Sequence, residues 1–502
     1  MPDFDAIVVG SGVGGGAAAT ALADADRRVL VLERGFELPV GRDRRDERRM
    51  LIERIASDDR AIEIDGEAAR PLVGGVPGGS SALYGAALLR PSPEDFHPGR
   101  HYGDRVPRSI WEWPFSFDDL EGYYARAEDL FGVSGDATAR TPHLARRGHA
   151  YPRSVPPLDE FNAGLARRLR ARGADPFSLP LAIDFDTCLR CARCPGYACP
   201  TGARTSAHET LLAPRAAAGR LDYRFGVEAE RLIVRGGRFH ALRFRDRRTG
   251  EVTEATAEHV LLASGAIGTP LLLEDSGLGG RSGELGRNHM CHLGALAVTV
   301  FPSSIGADTT YLKRLGLSDF YFGTPKFAAK MGSAQAVPVP GVESMAEQVG
   351  VPLPRPLAAA IHRRTILMAG YVEDLPRAAN RVWRRADGTI RIDRAFDRFD
   401  VVRGRALAKA LAWLMRRAGA VLSIPWVARN DREHLAHQVG TCRAGADPAT
   451  SVVDGAGRLH GHEGIWIADG SVLPTSLGVG PALTIAAHAL RVADFVLEER
   501  AA

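Results

Sequence analysis

The segment from Ala6 to Glu33 constrains the fold of this chain more than any other. A β-branched run, Ala6-Ile7-Val8-Val9, leads into the turn Gly10-Ser11-Gly12-Val13-Gly14-Gly15, an alanine-rich stretch and a second apolar run that ends at Glu33. Glycines at these positions let a pyrophosphate approach the N-terminus of a helix, and an acid about 20 residues later accepts hydrogen bonds from ribose hydroxyls. The order predicts a dinucleotide-binding βαβ unit, with a purely structural turn as the alternative.

A second glycine-rich stretch runs from Gly74 to Ser81 and carries no charge. Uncharged Gly/Ser loops with apolar flanks are typical of the lining of a buried ligand, and a flexible surface connection is the alternative. Alternating apolar segments between Tyr223 and Ala263 predict a meander that returns to the nucleotide sheet. Helices are predicted over Val401–Ala418 and Pro481–Glu499.

Length and composition exclude several classes of protein. A chain of 502 residues exceeds the roughly 100–200 residues of one domain, so more than one domain is expected. The net charge of +4 comes from arginines scattered among acids, which argues against nucleic-acid binding. The uncharged stretch up to Leu89 is rich in glycine and predicts a loop, so we expect no membrane span. The N-terminus carries no export pattern, which predicts a cytoplasmic protein.

Four of the six cysteines are crowded into one short segment, at Cys188, Cys191, Cys194 and Cys199. This usage does not resemble a secreted disulfide framework and favours a reducing compartment. The spacing is similar to the CxxCxxC run of iron–sulfur ligands, although the last gap holds four residues rather than three. A reduced structural loop and a metal or iron–sulfur site both remain open.

Motifs along nearly the whole chain resemble those of the glucose-methanol-choline (GMC) oxidoreductase family. They are, in order, the N-terminal glycine turn, Gly78-Gly79-Ser80-Ser81 with Arg90 and Asp95-Phe96, Trp113-Pro114, Ala263-Ser264-Gly265-Ala266-Ile267-Gly268-Thr269-Pro270, His437-Gln438-Val439-Gly440-Thr441-Cys442-Arg443, and Ile467-Ala468-Asp469-Gly470-Ser471 before Pro481. The resemblance implies a mixed α/β and α+β fold. It implies a Rossmann-like FAD-binding domain from residues 1–110, 185–295 and 426–502, and a noncontiguous, sheet-containing substrate-binding domain from 111–184 and 296–425.

The resemblance also implies which residues hold FAD. The adenosine half of FAD would be bound by Gly10, Gly12, Gly15 and Glu33, and adenine would contact the backbone of Val227. The flavin would be covered by Gly79 and Ser80, and its isoalloxazine ring would lie by Pro481. The pyrophosphate would lie by Asp469 and Gly470, and Ala263 belongs to the same site. Family members with covalent flavin use a histidine at about the position of Ala82. Noncovalent FAD is therefore expected.

By the same resemblance His437 is the general base, and a buried structural histidine is the alternative. A histidine suits this task because its ordinary pKa near 6.5 lets it accept a hydroxyl proton at neutral pH. We interpret His434 and His292 as structural. The family usually has Asn or His before the proline of the C-terminal motif, whereas this chain has Gly480. Tyr84 is a candidate substitute for the missing hydrogen-bonding group.

These residues together predict an FAD-dependent oxidase or dehydrogenase that acts on an alcohol group of a sugar, polyol, sterol or other small molecule. The electrons of the reduced flavin would pass to oxygen or to a redox partner. If an iron–sulfur cluster is present, they could leave the flavin through it. Because Gly480 lacks a side chain, a non-redox flavoprotein of the hydroxynitrile-lyase type, or altered chemistry, is the alternative. A third hypothesis is a protein that keeps FAD without catalysis.

Overall fold

The protein is described by a computed structural model that covers residues 2–38, 42–71, 73–306, 311–339, 341–349, 354–429 and 437–499. His434 lies outside these ranges. The strands are β1 (Phe4–Val9), β2 (Val29–Glu33), β3 (Ile62–Ile64), β4 (Glu67–Ala69), β5 (Ser134–Gly135), β6 (Arg153–Ser154), β7 (Phe177–Ser178), β8 (Asp222–Phe225), β9 (Val227–Arg235), β10 (Arg238–Asp246), β11 (Val252–Leu262), β12 (Leu293–Val300), β13 (Leu315–Leu317), β14 (Ala334–Pro338), β15 (Thr365–Val372), β16 (Arg381–Arg384), β17 (Ile390–Asp393), β18 (Leu422–Val427) and β19 (Ile465–Ile467).

The helices include both of those predicted near the C-terminus. They are α1 (Val13–Asp24), α2 (Pro98–Tyr102), α3 (Phe117–Leu130), α4 (Glu160–Arg170), α5 (Ala213–Ala217), α6 (Gly265–Asp275), α7 (Val342–Val349), α8 (Arg355–His362), α9 (Arg398–Arg417) and α10 (Ala482–Glu499). Within the described ranges, no helix combines the length and apolar character needed to cross a bilayer.

The first sheet is the predicted nucleotide sheet. Its strand order is β8-β2-β1-β11-β10-β9, and β19 pairs with β11. The pairs β1–β2, β1–β11, β2–β8 and β11–β19 are parallel, whereas β9, β10 and β11 form the predicted antiparallel meander. β1 and β2 are buried along almost their whole length, as expected for strands covered on both faces.

Small residues let α1 pack closely against the rest of this domain. A Cβ at Gly14 would lie 1.9 Å from the carbonyl oxygen of Ala468, and one at Gly16 would lie 2.7 Å from Cβ of Ala207. Any side chain at these two positions would push α1 away from its neighbours. The glycine run therefore sets how closely the C-terminal segment approaches the N-terminal motif.

The second sheet has the order β18-β12-β15-β14-β13-β7. Helix α9 covers it with buried Leu407, Leu411 and Met415, which belong to a hydrophobic core separate from that of the nucleotide sheet. The sheet is built almost entirely from the two segments predicted to form the substrate-binding domain. The predicted mixed α/β fold is thereby confirmed.

A third sheet was not anticipated from the sequence. Its order is β16-β17-β3-β4, and β17 pairs in parallel with β3. The hairpin of β3 and β4 lies in the segment 1–110, whereas β16 and β17 lie in 296–425. This sheet therefore joins two segments that the predicted boundaries assign to different domains, and the division into domains stays a prediction.

Candidate active site

The N-terminal glycines form a cradle at the start of α1. Gly10 has a φ of +102°, and a Cβ on it would lie 2.5 Å from the carbonyl oxygen of Ala263. A Cβ on Gly15 would lie 1.9 Å from the carbonyl oxygen of Gly10. Gly12 precedes α1 without any capping side chain, and no atom of the described residues lies within 4 Å of where its Cβ would be. An uncapped helix N-terminus that faces open space fits the pyrophosphate of a dinucleotide.

Glu33 ends β2 beside this cradle. Its carboxylate accepts hydrogen bonds from the backbone N–H of Ser11 at 3.0 Å and from that of Gly35 at 2.7 Å. The N–H of Gly226 donates to the carbonyl of Gly35 at 2.9 Å, so Val227 begins β9 next to the same turn. The structure thus places Glu33 and Val227 next to the same turn.

The second glycine loop lies directly on the first. The N–H of Gly78 donates to Oγ of Ser11 at 2.8 Å, and a Cβ on Gly79 would lie 3.2 Å from Cα of Gly12. The hydroxyl oxygen of Ser80 accepts a hydrogen bond from Gly74 within the loop at 3.2 Å. Gly79 and Ser80 therefore border the same space as the N-terminus of α1.

Asp469 fixes the C-terminal motif to the start of α6. Its buried carboxylate accepts hydrogen bonds from the N–H of Gly265 and Ser471, both at 2.8 Å, and from the hydroxyl of Thr269 at 2.5 Å. Burial raises the pKa of Asp469 in spite of these bonds. The carboxylate thus orders the backbone at Gly470, two residues after Ala468, whose carbonyl packs against α1.

His437 and His292 form a hydrogen-bonded pair. Nε2 of His292 lies 2.8 Å from the carbonyl oxygen of Leu477. Because a carbonyl only accepts, Nε2 of His292 carries the proton, which leaves Nδ1 of the neutral ring as an acceptor. Nδ1 of His437 lies 2.9 Å from that atom and must therefore be the donor. In this inferred tautomer Nε2 of His437 has a free lone pair.

The free nitrogen of His437 faces Gly480. A Cβ on Gly480 would lie 3.3 Å from Nε2 of His437, so the glycine leaves this atom uncovered. The backbone of His437 has a φ of +65°, a left-handed conformation that is uncommon outside glycine and concentrates at functional sites. The ring of Tyr371 packs on His437 with centroids 5.1 Å apart. His437, the predicted base, and Gly480, which lacks the usual hydrogen-bonding side chain, are therefore neighbours.

Both histidines are held neutral. Burial lowers the pKa of His292 to about 4. Burial, and then the charges of His292 and Lys313, bring the pKa of His437 well below its usual range. A neutral His437 is ready to accept a proton at any pH near neutrality.

His292 was interpreted as structural from the sequence, and its pairing with His437 was missed. The run Gly286-Arg287-Asn288-His289-Met290-Cys291-His292 contains two histidines and no feature that singles out the second. The two paired rings are 145 positions apart in the chain. Only the tertiary fold brings them together.

Tyr84 does not supply the group that Gly480 lacks. Its hydroxyl donates to the carbonyl of Thr205 at 2.9 Å, and burial raises its pKa. The phenol is thus committed to a backbone partner in the segment that follows the cysteines. The prediction that Tyr84 replaces the hydrogen-bonding group missing at Gly480 is therefore corrected.

The four clustered cysteines line one cavity, together with Arg204 and Tyr311. The backbone N–H of Arg190 donates to Sγ of Cys188 at 3.4 Å, and that of Arg204 donates to Sγ of Cys199 at 3.5 Å. All four are free thiols, and among the described residues no group of three or more His, Cys, Asp or Glu side chains is arranged to hold a metal ion.

Arg204 ties this cysteine loop to the second glycine loop. Its guanidinium donates to the carbonyls of Cys194 at 2.5 Å, Tyr197 at 2.8 Å and Tyr84 at 3.0 Å, and also to that of Ala82. The loop that carries the cysteines therefore packs directly against the loop predicted to cover the flavin.

Comparison with known proteins places this geometry in a family. Models described as GMC oxidoreductase match residues 4–294 and 380–489. The chain is 33% identical to 6'''-hydroxyparomomycin C oxidase of Streptomyces lividus, over 99% of this chain and 92% of that protein. It is 31% identical to paromamine 6'-oxidase of Streptomyces fradiae, over 98% of this chain and 91% of that protein.

A solved structure supports the same fold. Pyridoxine 4-oxidase from Mesorbium loti superposes with a TM-score of 0.69 at 20% identity, covering 98% of each chain. The resemblance noted in the sequence is confirmed. The chain belongs to the GMC oxidoreductase family and is an FAD-dependent enzyme that oxidises alcohol groups.

Proposed function

We propose that His437 is the general base of this alcohol oxidation. The observation that carries the proposal is the unprotonated Nε2 of His437, which is fixed by His292 and left uncovered by Gly480. FAD, when bound, supplies the hydride acceptor. Nε2 of His437 then takes the hydroxyl proton, and the carbonyl of Leu477 keeps the His292 proton on the far side of the pair.

His292 acts as a positioning residue in this proposal. It fixes the tautomer of His437, since its Nδ1 can only accept the proton that His437 presents on Nδ1. Leu477, whose carbonyl orients His292, has a φ of +65°. The segment around it is held by a hydrogen bond from the N–H of Ser333 to the carbonyl of Gly478 at 2.7 Å. A rigid segment thus orients the base through two hydrogen bonds.

FAD is proposed to be held without a covalent bond. Gly10, Gly12 and Gly15 would receive its pyrophosphate at the start of α1, and Glu33 and Val227 would receive the adenosine. Gly79, Ser80, Ala263, Gly470 and Pro481 would line the rest of the site, with Asp469 ordering the backbone beside it. Ala82 has no side chain able to bond to the flavin, which supports the noncovalent assignment.

The substrate is proposed to be a saccharide-like small alcohol. Two similar relatives carry the names 6'''-hydroxyparomomycin C oxidase and paromamine 6'-oxidase, and both span nearly the whole chain. The acceptor that reoxidises FAD is proposed to be oxygen, as those two names imply for the relatives. A separate redox partner is the alternative, because another relative is named 2-methyl-1,2-propanediol dehydrogenase.

Anaerobic addition of alcohols tests the function. The panel contains paromamine, a related saccharide, 2-methyl-1,2-propanediol, fructose, pyridoxine and a long-chain alcohol. We expect paromamine or the related saccharide to bleach the flavin absorbance. Air should then restore the colour, and acid should release yellow FAD from the protein. Release of an aldehyde and cyanide from an added cyanohydrin, without bleaching, would instead support a lyase, which the missing side chain at Gly480 keeps as the second candidate. No response to any alcohol would support a protein that keeps FAD without catalysis.

For the cysteine loop we propose a metal or iron–sulfur cluster as a candidate group. Four thiols around one cavity and two N–H···S hydrogen bonds support this proposal. Anaerobically purified protein should contain iron and labile sulfide, and Cys191→Ser should remove both. Iron-free protein with unaltered flavin reduction would identify the segment as a reduced structural loop, the alternative left open by its spacing.

A further inference from the structure

Lys313 is a buried cation with no counterion among the residues that the structure describes. Its side chain is 7% exposed, and no described residue forms a hydrogen bond or ion pair with Nζ. The titratable groups that interact with it are Cys194, Arg204 and His437, and none of them is a carboxylate. Because an unpaired buried charge is costly, such a group is retained where an anion or a developing negative charge can reach it.

Lys313 lies against the end of the second glycine loop. A Cβ on Gly85 would come within 2.1 Å of Nζ and 2.9 Å of Cε of Lys313. The absence of a side chain at Gly85 therefore makes the space in which the ammonium lies. The adjacent Tyr84 points away, to Thr205, so it does not compete for that space.

The same ammonium acts on the proposed base. The ammonium lies against Gly85, in the segment that follows Gly79 and Ser80 at the start of α1, and its charge contributes to the lowered pKa of His437. The free nitrogen of His437 faces Gly480, where the family usually provides a second polar side chain and this chain provides none. A cation near this gap is suited to bind the oxygen from which His437 removes a proton.

We propose that Lys313 forms an oxyanion-binding site that takes the oxygen of the bound alcohol in place of the side chain missing at Gly480. The O–H bond of the alcohol breaks, its proton goes to Nε2 of His437, and the electron pair stays on oxygen, stabilised by a hydrogen bond from the Lys313 ammonium. The C=O bond forms as the hydride leaves for FAD. This inference rests on the proposed role of His437.

Small carboxylates should bind to the same site, because they present a comparable oxyanion. We expect acetate to perturb the FAD spectrum of the oxidised enzyme and to compete with alcohol. Lys313→Met should weaken acetate binding about 10- to 100-fold, the value of a charge-assisted hydrogen bond, and should lower kcat/KM by roughly 10²–10³. Lys313→Arg should restore part of the acetate affinity, limited by the space at Gly85.

The matched control is Lys326→Met, since Lys326 is exposed in the segment that follows β13. It should leave acetate binding unchanged. Acetate binding is measured without turnover, so it tests Lys313 even if His437 proves not to be the base. An unchanged dissociation constant for acetate in Lys313→Met would overturn the assignment. A variant that loses iron but keeps its acetate affinity would also overturn it, because Lys313 would then be a counterion of the cysteine loop.

The wild-type enzyme provides a second measurement if the variants do not fold. Burial lowers the pKa of Lys313 to about 8, and Cys194 and Arg204 modify it in opposite directions. Of the groups that face Lys313, Cys194 titrates higher, at about 11, and His437 titrates well below 6.5. Acetate affinity should therefore decline as the pH rises through about 8. A constant affinity between about pH 7 and 9.5 would contradict the proposal.

Discussion

His437→Ala should keep FAD and lose about 10²–10⁴ in the rate of anaerobic flavin reduction by alcohol, the usual contribution of a positioned general base. The variant removes the only nitrogen that the His292 pair leaves unprotonated and uncovered. It leaves intact the glycine cradle at α1 and the segment at Asp469, both of which lie outside the histidine pair. Stopped-flow measurement of flavin reduction, with the flavin content determined in parallel, checks both halves of this expectation.

Two further variants separate catalysis from structure. His149→Ala is the matched control, because His149 is exposed and lies outside the site. His292→Ala should slow reduction less than His437→Ala does, because it removes the group that orients the base but leaves the base itself. It should also change the pH dependence of the rate, since a freed His437 ring can exchange tautomers. Wild-type reduction kinetics in His437→Ala would eliminate the mechanism.

The pH dependence of the wild-type reaction follows from the lowered pKa of His437. A base must be unprotonated to act, and burial together with His292 and Lys313 keeps His437 neutral well below pH 6.5. The acid limb of kcat/KM should therefore lie below the value expected for an ordinary histidine. Protonation of His437 at Nε2 leaves its Nδ1–H donating to Nδ1 of His292, so the pair persists when the base is charged.

The parts of the site that the sequence predicts are those set by backbone geometry. Gly10 and Gly15 are needed because a carbonyl oxygen lies within 2.5 Å of each missing Cβ, and a local motif encodes such a requirement. The βαβ unit is also local, so both its strands and α1 were predicted. His437 and Gly480 came from the family resemblance and stay predictions as catalytic residues, although the structure places them side by side.

The parts that were missed depend on contacts between distant segments. His292 and Lys313 carry no local motif, and their meaning lies in what the fold places against them. Tyr84 was assigned from its place in the loop, but the direction of its side chain is set by Thr205. The third sheet escaped prediction because β3 and β4 have three residues each, too few to show a period.

A buried charge cluster holds the segment that orients His292. Nζ of Lys330 lies 2.6 Å from a carboxylate oxygen of Asp95 and 2.5 Å from one of Glu373, and all three side chains are fully buried. Glu373 also accepts a hydrogen bond from Thr475 at 2.6 Å, and Asp95 accepts one from the N–H of Gly478 at 3.4 Å. Lys330 thus pairs with two acids that together hold the segment on both sides of Leu477, and its single charge compensates one of them.

Lys330→Met should lower the free energy of unfolding by about 3–5 kcal/mol, the usual cost of leaving a buried partner charge uncompensated. Chemical denaturation of the FAD-loaded protein measures this loss, and the exposed Lys326→Met should change stability by no more than about 0.5 kcal/mol. Adding Glu373→Gln to Lys330→Met should recover part of the stability, because one of the two unpaired acids is then neutral. A loss below about 1 kcal/mol in Lys330→Met, or no recovery in the double variant, would show that the acids are already protonated in the folded protein. In that case Lys330 would not anchor the segment at Leu477, and the orientation of His292 would depend on the Ser333 hydrogen bond to Gly478.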